Sequence, residues 1–182
     1  MSIAQTLTPY FQVRPRIALD FEQPDLTVAA STTINIGDIV KYDGSGNIVQ
    51  AIAAPSSGAQ TAAGAGLVTV GVAMGSIVTT SSGAEATTGR TTVPVATWDQ
   101  IQVAMRTTGA TYGTSKTPAD FTYATAYQFA RVNNGTTSFY ALIPTTTSGE
   151  LVYDEIVLGV GSTDTYGPVW VHAVNAYSAF NL

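Results

Sequence analysis

The chain has 182 residues, of which only 10% are charged, with a formal net charge of −5, one histidine and no cysteine. That balance argues against a nucleic-acid binder, which needs clustered Lys and Arg against phosphate, and leaves no thiol for a disulfide framework or a thiolate metal site. No apolar run is long enough to span a bilayer, and Met1 to Tyr10 lack the basic start and apolar run of a signal peptide, so a protein made and used in the soluble phase is expected.

Threonine, serine and glycine replace the missing charge, as in Thr79-Thr80, Thr91-Thr92 and Thr145-Thr146-Thr147. Threonine is β-branched and suits a half-exposed pleated surface, so this composition favours sheet over helix. A weakly charged surface also resists association less than a charged one. Residues 1–26 read as an extended N-terminal arm and 27–182 as a single β domain.

In the arm, Pro9, Pro15 and Pro24 disfavour helix, and Tyr10, Phe11, Val13, Ile17, Leu19 and Phe21 carry too much apolar surface to leave in water. The segment is therefore extended, and two partners stay open: the chain's own sheet or a neighbouring subunit. Arg14 and Arg16 flank Pro15 as the only close basic pair. Asp20, Glu22 and Asp25 lack a nearby His, Lys or metal-ligand pattern and read as a solvated loop.

From Thr33 to Ser76 the chain reads as sheet. Ile39 and Lys41 alternate with Val40 and Tyr42, Asp43-Gly44-Ser45-Gly46-Asn47 supplies a reversal, and Ile48 to Ala53 continues as the second arm of a hairpin. Val68, Val70, Val72 and Met74 alternate with Thr69, Gly71, Ala73 and Gly75, which leaves a flat face where another backbone can approach closely. Between them, Pro55 to Gly66 is a run of small residues that reads as a mobile loop or strand connection. It lacks the Gly-Lys-Ser/Thr of a phosphate-binding loop.

Ile77 to Arg90 is turn-rich, and Thr92 to Thr107 reads as strand, with Ile101, Val103 and Met105 on one face. Trp98 suits a core or interface anchor. Thr117-Pro118-Ala119-Asp120 carries helix-start signals, yet Phe121, Tyr123, Thr125, Tyr127 and Phe129 alternate strictly with Thr122, Ala124, Ala126, Gln128 and Ala130. The strand reading is preferred, with Asn133-Asn134-Gly135 as a hairpin turn into Ser138 to Ile143. Leu151 to Val160 and Pro168 to Leu182 read as strands, and the apolar end at Phe180 and Leu182 as docked. His172 reads as structural, and Asp154-Glu155 match no EF-hand spacing. The whole predicts a mainly β fold, an antiparallel β-sandwich or small barrel with an extended N-terminal arm and room for one short helix near Pro118.

Ile36-Gly37-Asp38-Ile39-Val40, the turn at Asp43 to Asn47, the strand to Ala53 and Val70-Gly71-Val72-Ala73 together resemble the small β domains of tailed-phage capsid decoration, or cement, proteins. The resemblance implies a non-enzymatic virion protein on the outer surface of an icosahedral capsid. It would stabilise capsomer junctions through the major capsid protein and sister subunits, as a homo-oligomer, for instance a trimer, without cofactor, nucleic acid or membrane. Tyr10, Phe11, Val13, Arg14, Arg16, Phe180 and Leu182, at the two chain ends, are the candidate partner-binding residues. The alternative is a carbohydrate-binding or tail-fibre β module stacking sugars on Trp98, Tyr123 and Tyr127. A hydrolase built on His172 and an acidic partner is the weakest reading, because no nucleophile motif accompanies the histidine.

Overall fold

A computed structural model describes residues 7–16, 23–64, 67–147 and 149–174. Phe180 and Leu182, like Asp20 and Glu22, lie outside them. The fold is mainly β, as the patterning predicts, with no α-helix among the described residues. In chain order the strands are β1 (Gln12–Pro15), β2 (Asp25–Thr27), β3 (Thr33–Ile34), β4 (Ile39–Tyr42), β5 (Ile48–Gln50), β6 (Ala59–Ala62), β7 (Gly71–Ala73) and β8 (Ile77–Val78). They continue as β9 (Thr92–Thr97), β10 (Ile101–Thr107), β11 (Ala126–Tyr127), β12 (Phe129–Asn133), β13 (Ser138–Leu142), β14 (Leu151–Ile156) and β15 (Val169–Ala173). Contacts gather the chain into two compact units. One holds Met1–Arg14, Ile52–Leu67 and Gln102–Asn175; the other holds Pro15–Ala51 and Val68–Ile101.

The second unit is a small barrel. Its 5-stranded sheet runs β2-β9-β7-β4-β5, and a parallel bridge between Val28 and Ile48 brings the end of β2 onto β5 and closes the ring. The Ala29 N–H donates to the Ile48 carbonyl at 3.1 Å across that seam. At that bridge the two edge strands of the curled sheet meet. The interior is aliphatic: Val28, Val40, Ile48, Val70, Ala73, Val93 and Val95 pack with Ile34 and Ile77 from the β3–β8 ribbon. The predicted hairpin is there. The Asp43 carboxylate accepts the Ser45 N–H at 2.7 Å and the Asn47 N–H at 2.9 Å, and Gly46 takes φ +83°. These backbone donors, Ser45 first, hold the Asp43 pKa below its usual 3.8. The flat face is also there, because a Cβ on Gly71 would sit 2.1 Å from the Ala96 carbonyl oxygen. The expected single strand over 92–107 is split, since Trp98-Asp99-Gln100 turns the chain between β9 and β10.

The first unit is an 8-stranded sheet of order β11-β14-β15-β10-β13-β12-β6, with β1 beside β10. Two features depart from the sequence reading. The small-residue loop over 55–66 contains β6, which pairs with β12 from Ala59 opposite Asn133 to Ala62 opposite Ala130. Backbone hydrogen bonds make this strand, and they need no apolar side chains. The aromatic alternation from Phe121 breaks early. Pro118–Asp120 forms a 3-10 turn fixed by the Asp120 carboxylate, which accepts the Thr117 N–H at 2.8 Å, and Ala124 then takes φ +57°. Only from Ala126 does the chain run as strand, and the Asn133-Asn134-Gly135 reversal then delivers the expected hairpin of β12 and β13. β13 runs parallel to β10, whereas β15 pairs with β10 and β12 with β13 antiparallel.

Candidate interaction face

On β10, Gln102, Ala104 and Arg106 point to one side of the sheet, and Val103 and Met105 to the other, by strand alternation. Register places Trp170 opposite Ala104, Ala141 opposite Arg106, and Val132 opposite Phe139, so one face carries Gln102, Trp170, His172, Ala141, Phe139 and Val132. Residues 7–10 pack over this face and continue into β1, which pairs beside β10, the two together forming a strap.

Leu7 packs on the buried trio Val132, Phe139 and Ala141. Tyr10 packs with Val160 on Ala104, Val157 and Trp170. Between them Arg106 reaches out of β10: its Nε donates to the Thr8 carbonyl at 3.3 Å, and its guanidinium carbon lies 5.2 Å from the Tyr10 ring centre. Burial pulls the Arg106 pKa below its ordinary value.

Arg14 makes three contacts on this face. Its guanidinium lies 4.2 Å above the Trp170 ring, its Nε donates to Gln102 Oε1 at 2.7 Å, and its Nη2 pairs with the Glu155 carboxylate. Gln102 Nε2 passes the chain on to Asp154 Oδ2 at 2.7 Å, and Asp154 holds His172 Nδ1 at 2.8 Å. The register slips between Tyr153 and Glu155, a bulge that leaves Asp154 as the extra residue. A bulge re-aims side chains, and here both acidic groups serve the same row. Asp154 and Glu155, which match no EF-hand spacing, are thus engaged by His172, Gln102 and Arg14. No group of three or more His, Asp or Glu that could hold a metal occurs among the described residues.

The carboxylate on Nδ1 orients the His172 ring. Among the described residues no hydroxyl is hydrogen-bonded to Nε2. The stacking surface of the carbohydrate reading is not assembled. Trp98 is 0% exposed, and its Nε1 donates to Thr69 Oγ1 at 2.9 Å inside the barrel unit. Tyr127 is buried edge-on against Phe121 with ring centres 4.9 Å apart, and its hydroxyl accepts the Thr122 N–H at 2.8 Å. Only Tyr123 of the three is open to solvent, at 72% exposure.

Among the predicted partner-binding residues, Tyr10 and Arg14 therefore face the chain's own sheet. Phe11 and Val13 are half-buried, and Arg16 is exposed with its backbone N–H on the Gln100 carbonyl at 2.7 Å. Phe180 and Leu182 fall outside the described residues. The sequence reading missed Gln102, Trp170 and the Asp154–His172 pair as members of one face. Their signal was weak but present: Gln102 and His172 are polar positions within apolar strands. No family model, curated protein or solved structure matches this chain.

Proposed function

We propose that this is a structural virion protein that binds the outer surface of an icosahedral phage capsid and stabilises its capsomer junctions, using the outward side of the N-terminal strap. The observation that carries the reading is the two-sidedness of residues 10–16. Tyr10 and Arg14 anchor the strap to its own sheet, while Phe11, Val13 and Arg16 remain wholly or partly open. An anchored strand with a free side offers a rigid contact edge at little further entropy cost. A sparsely charged, threonine-rich surface suits burial against a repeated coat surface, and a ligand that binds only the assembled shell stabilises it by mass action.

Co-sedimentation with phage capsids lacking the protein tests this. The double variant Phe11→Ser, Arg16→Glu should lose binding while its circular dichroism and melting stay unchanged, and light scattering on the free protein reports the oligomer. Full binding by the variant, or no capsid binding by the native chain, rejects the proposal.

A further inference from the structure

The tip of the β12–β13 hairpin carries Asn134-Gly135, the only Asn-Gly pair in the chain. Asn134 Oδ1 accepts the N–H groups of Thr136 and Thr137, each at 3.0 Å. Two donors on a carbonyl oxygen stabilise the charge that develops there when a nucleophile adds to the carbon. The nucleophile for that addition is the next backbone nitrogen. Gly135 is exposed, has no side chain to shield it, and donates its N–H to Asn133 Oδ1 at 2.9 Å. On the other side of the carboxamide, Asn134 Nδ2 donates to the Leu7 carbonyl at 3.4 Å and so ties the hairpin tip to the strap.

We infer that Asn134 is a self-modifying site: its carboxamide converts through a succinimide to aspartate and isoaspartate, and the product loosens the strap at Leu7. The Gly135 nitrogen loses its proton to solvent hydroxide and bonds to Asn134 Cγ. The Cγ–Nδ2 bond breaks, and the nitrogen leaves as ammonia with a proton from water. A water molecule then opens the ring at either carbonyl. The resulting carboxylate is acceptor-only at neutral pH, so it meets the Leu7 carbonyl where a donor stood. The isoaspartate form also adds a carbon to the backbone beside the ladder that begins at Asn133 opposite Ser138.

The test is incubation of the full chain in warm, mildly alkaline buffer, followed by peptide mapping and isoaspartate-selective methylation. Asn134 should convert about tenfold faster than Asn35, Asn47 or Asn133, equivalent to roughly 1.4 kcal/mol in the barrier. Asn134→Gln, which keeps the donor and acceptor set but would need a larger ring, should abolish conversion at that position. Asn134→Asp should raise amide exchange at Leu7 and Thr8 several-fold without changing exchange in β12. Conversion of Asn134 no faster than of Asn47 overturns the site, and unchanged exchange at Leu7 in Asn134→Asp overturns the loosening.

Discussion

The barrel unit closes its sheet through the Val28–Ile48 bridge and fills the interior with Val and Ile, whereas the sheet unit ends at β11 and β6 and covers one face with a strap. The strap is held by Arg14 on Trp170, Gln102 and Glu155, and by Arg106 on Thr8 and Tyr10. The first solution depends on volume and close backbone approach, which salt and pH scarcely touch. The second depends partly on charge at a half-exposed surface, which ions screen. A chain with so few charges therefore places several of them where a segment must be held without being sealed in.

The sharpest way to break this comparison is Gly71→Ala. A methyl 2.1 Å from the Ala96 carbonyl oxygen must force β7 away from β9, so a loss on the order of 4 kcal/mol or more in denaturant unfolding is expected. A near-neutral result would show that close approach is not what closes the barrel. Ile48→Ala at the seam follows, at about 2–5 kcal/mol, because the site is fully buried and the ring has little room to collapse.

Arg14→Ala in the sheet unit should cost only about 1 kcal/mol, with part of the loss screened by added salt, since Arg14 and Glu155 side chains are 37% and 56% exposed. Hydrogen exchange should rise at Tyr10 to Val13 and stay unchanged at Ile34, Ile48 and Val95. Faster exchange at those barrel positions would contradict the division of labour.

Acid gives the smallest and most discriminating contrast. Asp43 in the barrel unit has a folded pKa below 3.8, so its contribution is present above 3.8 and fades as pH falls through the folded value. Glu150 in the sheet unit is pushed above 4.5 by burial, so the folded state holds its proton more tightly and stability falls as pH rises from 4.5 through the folded value. Carboxyl NMR titration should place the Asp43 midpoint below 3.8 and that of Glu150 above 4.5. Midpoints in the reverse order would remove the contrast.

What the sequence made legible was local. The Asp43–Asn47 reversal and the Asn134-Gly135 turn depend on side-chain oxygens and glycine at fixed offsets, and the flat face at Gly71 depends on residue size; each can be read from neighbouring letters. The closing bridge could not be, because Val28 meets Ile48 only after five strands have curled. Nor could β6, whose Ala-Gln-Thr-Ala has no apolar amplitude and exists by pairing with β12. Phe121 to Tyr127 misled in the other direction: its alternation is real in the letters, but Pro118, Asp120 and the left-handed Ala124 set the backbone first. In the strap, proline punctuation predicted extension, while its seat beside β10 and the Asp154 bulge needed register between distant strands.

The interleaving of the two units has a consequence during synthesis. Every strand of the barrel, with its covering ribbon, has been made once the ribosome passes Thr97, while the large sheet waits for β15 at Val169–Ala173. Domains tend to fold as units as they emerge. The barrel can therefore close on the nascent chain while β1 and β6, already made, stand without their partners β10 and β12. Protease challenge of ribosome-arrested chains, halted once Thr97 has emerged and before β10 has, should find a resistant barrel with cleavage confined to β1 and to the β5–β7 connection that carries β6.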